Sequence, residues 1–147
     1  MKGGAAMYKT ILLAVDLEEE SSWTKALPTA VALARAFGSS LHVMTVVPTF
    51  MPAAAQLLPP DYEEKMVRDA SERLREFVKT RAPADLEAHC DIAHGMIYEE
   101  VLNRAKEIGA DLVVMASHRP ELKDYLIGPN ASRVVRHANC SVMVVRD

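Results

Sequence analysis

The chain alternates short, unbroken apolar runs with longer segments of helical period, and this alternation restricts its fold more than any other feature. Ile11, Leu12, Leu13, Ala14 and Val15 form a continuous run that ends at Asp16. A strand buried on both faces requires such a run, and Leu112, Val113, Val114, Met115 and Ala116 repeat the character. Between them, Glu18, Glu19, Glu20, Ser21 and Ser22 supply acidic first-turn residues and N-cap candidates. Trp23, Leu27, Ala30, Ala34 and Phe37 follow at helical spacing, and Gly38 sits where a C′ glycine belongs. Pro28 predicts a late helix start or a kink in the first turn.

Residues 41–47 predict a second strand, stopped by Pro48. The stretch 48–60 carries four prolines among small and apolar residues and predicts an irregular excursion. From Asp61 a helix is expected, with Tyr62, Met66, Ala70, Leu74 and Val78 four apart and charges between them. Residues 86–93 give a weak third strand, with Gly95 allowing a turn. Ile97, Val101, Ala105 and Ile108 mark a third long helix closed by Gly109. A polar loop from Ser117 reaches Gly128, a short helix spans 130–137, and residues 142–145 make the last strand.

Strands alternating with helices argue for an α/β fold: a mostly parallel sheet of five strands with helices on both faces. Right-handed crossovers and central positions for the two most apolar strands are met by the order 3-2-1-4-5. That order places a topological switch between strands one and four, where a crevice opens at their carboxyl ends, as in Rossmann-like sheets. Residues 1–7 read as a loose tail, and 8–147 as one domain without internal repeat.

Composition narrows the function classes. The net charge of −3 argues against general nucleic-acid binding, which needs a basic face. No apolar run approaches the roughly 20 residues of a membrane span, so no membrane insertion is expected, and a cytoplasmic location is. Cys90 and Cys140 match no metal-ligand spacing and are expected to be buried, reduced thiols. The histidines at 42, 89, 94 and 137 have no i,i+3 or i,i+4 pairing with one another, so no metal site is expected.

Three segments should meet at the crevice: Val15 and Asp16, Val46 and Val47, and residues 116–130. The last contains Ala116, Ser117, His118 and Arg119, and ends in Gly128, Pro129, Asn130 and Ala131. Gly128 suits an N-cap and Pro129 a first helical position. The free amides of Asn130 and Ala131 would then face the crevice with the helix dipole behind them, as an anion site requires. Arg119 offers a bidentate partner for a phosphate, and Ser117 and His118 offer donors. Plainer readings stand beside these: Asp16 as a turn cap, His118 and Arg119 as a solvated loop, Gly128 and Pro129 as helix-start chemistry alone.

The stretch from Met115 through Arg146 resembles the C-terminal signature of bacterial universal stress proteins. Residues 8–16 resemble that family's first strand, and Gly95-Met96-Ile97-Tyr98-Glu99-Glu100-Val101 its third-helix entry. The resemblance implies the five-stranded fold, of the adenine nucleotide alpha hydrolase-like type, and a homodimer paired through the last strand at Val142, Met143, Val144 and Val145. It also implies an adenine nucleotide (ATP, ADP or AMP, with or without Mg2+) as ligand, with adenosine near the residues that fall on Asp16 and Val46. Nucleotide-binding members hold phosphates with a Gly-x-x-Gly loop followed by Gly-Ser or Gly-Thr. Here Ala116 and Arg119 stand at the first two glycines, Gly128 is kept and Pro129 replaces the hydroxyl residue. A subgroup of the family has a similar Ala-Ser-His-Arg-Pro loop.

The resulting expectation is a nucleotide-responsive regulatory dimer that acts on a regulatory protein partner the sequence does not identify. No general base is evident for a water at the γ-phosphate, so at most slow ATP hydrolysis is expected. The alternative is a dimeric scaffold that binds no nucleotide and works through protein partners. An adenylating enzyme would need a Ser-Gly-Gly-x-Asp-Ser or His-Ile-Gly-His element, and neither occurs.

Overall fold

A computed structural model describes residues 7–49, 52–117 and 128–146. It contains a five-stranded parallel sheet in the order β3-β2-β1-β4-β5, the order expected from sequence. The strands are β1 (Thr10–Ala14), β2 (Ser40–Pro48), β3 (Ala88–Gly95), β4 (Leu112–Ala116) and β5 (Ser141–Val145). The helices are α1 (Ala26–Phe37), α2 (Pro52–Ala55), α3 (Tyr62–Arg81), α4 (Ile97–Ile108) and α5 (Pro129–His137).

The alternation of side chains along β1 divides the core in two. Ile11 and Leu13 face α1 and α3, where they meet Ala30, Ala34, Leu74 and Phe77. Leu12 faces the other way, toward Val101 and Ala105 of α4 and Val134 of α5. Ile11, Leu12 and Leu13 are all fully enclosed. At about 1.5–3 kcal/mol for each buried aliphatic side chain, this strand alone strongly favours the layered arrangement. On the α1/α3 side Trp23 meets Phe77 edge-on at 5.2 Å, and the Arg81 guanidinium lies 4.2 Å over the indole ring.

Several boundaries differ from the sequence reading for local reasons. A 3-10 turn at Glu20–Ser22 uses the acidic stretch, and α1 begins only at Ala26. Pro28 is thereby its third residue, where no backbone donor is required, so the helix starts late and does not kink. Leu86 donates its N–H to the Pro83 carbonyl at 3.1 Å, which closes a turn. That turn delays β3 to Ala88 and seats Leu86 against the core. The proline-rich excursion includes the one-turn α2. Gly38 and Gly109 both take left-handed conformations at helix C-caps, φ 68° and 66°.

Polar side chains fix the sheet's ends. Asp111 accepts the backbone N–H groups of Lys9 and Thr10 at 2.9 and 3.1 Å, which pins the start of β1 beside β4. On the α4 side of β2 and β3, His42 and Asp91 meet at 2.8 Å, and Arg104 of α4 approaches Asp91 at 3.6 Å. His42 also stacks on His89, its cross-strand neighbour, at 4.5 Å. The thiols depart from expectation, since Cys90 is exposed on β3 and Cys140 is only half-buried. The physical reason is that β3 is an edge strand. Its Cys90 sulfur rests against the Leu74 carbonyl at 3.9 Å and is not enclosed.

Candidate functional site: a cleft at the carboxyl ends of β1 and β4

The sheet's reversal point opens a cleft of about 650 Å³, within the range of small-molecule sites. Its floor is held by backbone and hydroxyl bonds between neighbouring strands. Val15 donates to the Met44 carbonyl at 2.9 Å, while the buried Thr45 hydroxyl donates to the Val15 carbonyl at 2.9 Å. On the other side Ser117 donates its N–H to the Val145 carbonyl at 3.0 Å, fixing the exit from β4 against β5.

Eight of the sequence-predicted residues line this one cleft: Val15, Asp16, Val46, Ala116, Ser117, Gly128, Asn130 and Ala131. Val47, adjacent to Val46, instead turns into the sheet and is buried. His118 and Arg119, the other two predicted residues, lie outside the described residues.

Asp16 caps a turn and also lines the cleft. Its Oδ1 accepts the Glu18 N–H at 2.9 Å, and its own N–H donates to the Ser22 hydroxyl at 2.8 Å. The Glu19 N–H donates to the Asp16 carbonyl at 3.0 Å. Arg73 of α3 ties the same loop down through Glu18 at 2.5 Å. The turn engages Oδ1 only, which leaves Oδ2 available to the cleft.

The opposite wall is the start of α5. Gly128 is its N-cap in extended conformation, and Pro129 occupies the first turn. The first intrahelical bond runs from Ser132 N–H to the Gly128 carbonyl at 3.0 Å. The amides of Asn130 and Ala131 therefore precede the helical ladder and are orphan donors. The helix has no acidic residue in its first turn and carries Arg136 and His137 in its last. Its dipole thus leaves a partial positive charge at the cleft.

The third wall is apolar: Met44, Val46 and Pro48 from β2, Met66 from α3, and Ile97 from α4. Sequence reasoning placed only Val46 there. Met44 and Pro48 share its face by the period of two, so they were legible once Val46 was chosen. Met66 belongs to the recognised stripe of α3, but nothing in that stripe says which of its turns overhangs the cleft. Among the described residues, no group of three His, Cys, Asp or Glu is placed to hold a metal ion.

The cleft thus combines an apolar slot, a carboxylate oxygen beside it, and orphan backbone donors across from it. An amphipathic anion with a flat apolar part fits that donor set, and a nucleotide is such a molecule.

Comparison with known proteins agrees on the architecture. The sequence profile described as the universal stress protein family matches residues 7–146. Universal stress protein G of Escherichia coli O157:H7 is 37% identical over 145 residues, covering 95% of this chain and 100% of that one. A universal stress protein solved in complex with cAMP superposes with a TM-score of 0.61 at 23% identity, covering 95% of this chain and 97% of the other. The universal stress protein from Archaeoglobus fulgidus in complex with dAMP gives a TM-score of 0.68 at 19% identity, with coverage of 94% and 98%.

Proposed function

The chain belongs to the universal stress protein family, and from that premise we propose that it is a cytoplasmic, adenine-nucleotide-binding regulatory dimer. The observation that carries the reading is the pairing, within one cleft, of an apolar slot and the orphan amides of α5. Adenine lies in the slot against Val46, flanked by Val15 and Ala116. Its exocyclic amino group donates to the free Oδ2 of Asp16. The phosphates meet the amides of Asn130 and Ala131, with Gly128 allowing close approach and Ser117, His118 and Arg119 adding donors. Any Mg2+ is carried on the phosphates. Slow or absent turnover belongs to the same reading, because no general base for the attacking water stands out among the described residues.

The dimer forms through β5, whose free edge lies beside Val142, Met143, Val144 and Val145. Exposed Met143 on that strand and exposed Val135 on α5 support this surface. Occupancy of the cleft changes the surface that a regulatory protein partner reads.

A second reading, a scaffold that binds no nucleotide, draws on Pro129. It removes one N–H from the phosphate wall and replaces a hydroxyl residue. Thermal unfolding separates the two. At a hundred times its dissociation constant ATP stabilises by about 2.7 kcal/mol, which raises the midpoint by roughly 5–10 °C. Arg119→Ala should reduce that rise. The absence of any rise with ATP, ADP or AMP, in protein free of co-purified nucleotide, favours the scaffold.

A further inference from the structure

Three thioether side chains line the cleft, and the nucleotide reading treats them only as apolar surface. Met44 and Met115 reach it from β2 and β4, and Met66 reaches it from α3. Resting on that reading, we infer that Met66 is a modification site for a peroxide, whose product sulfoxide weakens nucleotide binding.

The first ground is access. Met44 is fully enclosed and Met115 is 6% exposed, whereas Met66 is only half-buried. A small oxidant therefore reaches Met66 ahead of the other two. The helix holds it in place: Leu74 and Phe77 of α3 are buried in the core, and Arg73 is paired with Glu18 of the loop that carries Asp16. The step consumes a single peroxide molecule. A sulfur lone pair attacks one peroxide oxygen, the O–O bond breaks and an S–O bond forms. The departing hydroxide takes the proton left on the transferred oxygen and becomes water. Sulfur is oxidised, the peroxide is reduced, and no other reactant is required.

The second ground is the chemistry of the wall. Met66 shares it with Met44, Val46, Pro48 and Ile97, none of which has a side-chain donor. The orphan amides of Asn130 and Ala131 belong to a different wall. A thioether suits the apolar slot, because its polarizable sulfur packs well against an aromatic ring. A sulfoxide puts a strong acceptor dipole there, and a nucleotide closing over it removes its water without offering a donor in return. Adenine's amino group is the only donor on the base, and the nucleotide reading commits it to Asp16. The penalty falls on the bound state alone, so affinity drops while the empty protein keeps its fold. Methionine sulfoxide reductases reverse the step, which makes it a switch.

The test is isothermal titration of the full chain with ATP before and after treatment with hydrogen peroxide, with peptide mass mapping of each methionine. Met66 should take up oxygen before Met44 and Met115. The dissociation constant should rise by roughly tenfold, and both methionine sulfoxide reductases together should reverse the rise. Met66→Leu, a volume-conserving swap, serves as its own reference: peroxide should leave that variant's dissociation constant where it was. The variant keeps the exposed Met96, Met143 and Cys90, so oxidation off the cleft is common to both arms. Three results overturn the inference alone: Met66 staying reduced while Met143 is oxidised, unaltered affinity in protein oxidised at Met66, or an equal rise in Met66→Leu. Reduced protein that binds no ATP, ADP or AMP overturns the nucleotide reading first, and the inference falls with it.

Discussion

Replacing Asp16 by asparagine separates its two roles within one side chain. Oδ1 holds the Glu18 N–H at 2.9 Å and must remain an acceptor for the turn to persist. The asparagine carbonyl fills that position, which forces its NH2 group to where Oδ2 stood. A donor then faces the donating amino group of adenine. The loss is a hydrogen bond to a charged acceptor, about 1.5–3 kcal/mol, or roughly a 10- to 150-fold weaker dissociation constant. The ligand-free unfolding midpoint should stay within about 1 °C, because the turn is intact. Asp16→Ala loses the nucleotide contact and the turn bond together. The latter costs about 1 kcal/mol, or roughly 3 °C for a chain of this size. Isothermal titration with ATP and thermal unfolding of each variant measure both quantities. Wild-type affinity in Asp16→Asn, or an equal fall in midpoint for both variants, refutes the division of labour between the two oxygens.

Three further outcomes follow from other parts of the molecule. Gly95 has φ +153°, and a β-carbon there would lie 2.8 Å from the Glu100 Oε2 and 3.1 Å from its Cγ. Gly95→Ala should therefore destabilise by about 1–3 kcal/mol, and Glu100→Ala should restore only the steric part in a double-mutant cycle. The partial burial of the Cys90 sulfur raises its thiol pKa, with neighbouring Asp91 adding to the rise and Arg75 opposing it. Alkylation at pH 7.5 should be slower than for a free cysteine by mass spectrometry, and should climb as pH rises. The same sign means that the folded state holds the thiol proton more tightly, so its contribution to stability is present below the ordinary thiol pKa and is lost as pH rises through the higher folded value. Met143→Lys, placed on the exposed face of β5, should convert the proposed β5-paired dimer to monomer in sedimentation while the unfolding cooperativity persists.

Much of the architecture was legible because the residues that decide it act locally. The unbroken runs at 11–15 and 112–116 required burial on both faces, which forced both strands inward and set the reversal point between them. Gly38 and Gly109 marked helix ends because only glycine takes the left-handed cap without cost. Gly128 and Pro129 marked the start of α5 for the same kind of reason, and thereby one wall of the cleft. What escaped depends on long-range packing. The start of β3 moved to Ala88 because Leu86 turns onto the core, a contact no window of sequence contains. Cys90 was expected inside, since a cysteine's burial depends on whether its strand is central or at the edge. Met66 and Ile97 join the cleft only through the way α3 and α4 cross the sheet.

The most direct test of the nucleotide reading is a crystal structure of the protein grown with saturating ATP. The account predicts adenine against Val46 with its amino group on Asp16, and phosphate oxygens within hydrogen-bond distance of the Asn130 and Ala131 amides. Nucleotide bound elsewhere, or a cleft that stays empty at saturating ATP, contradicts it.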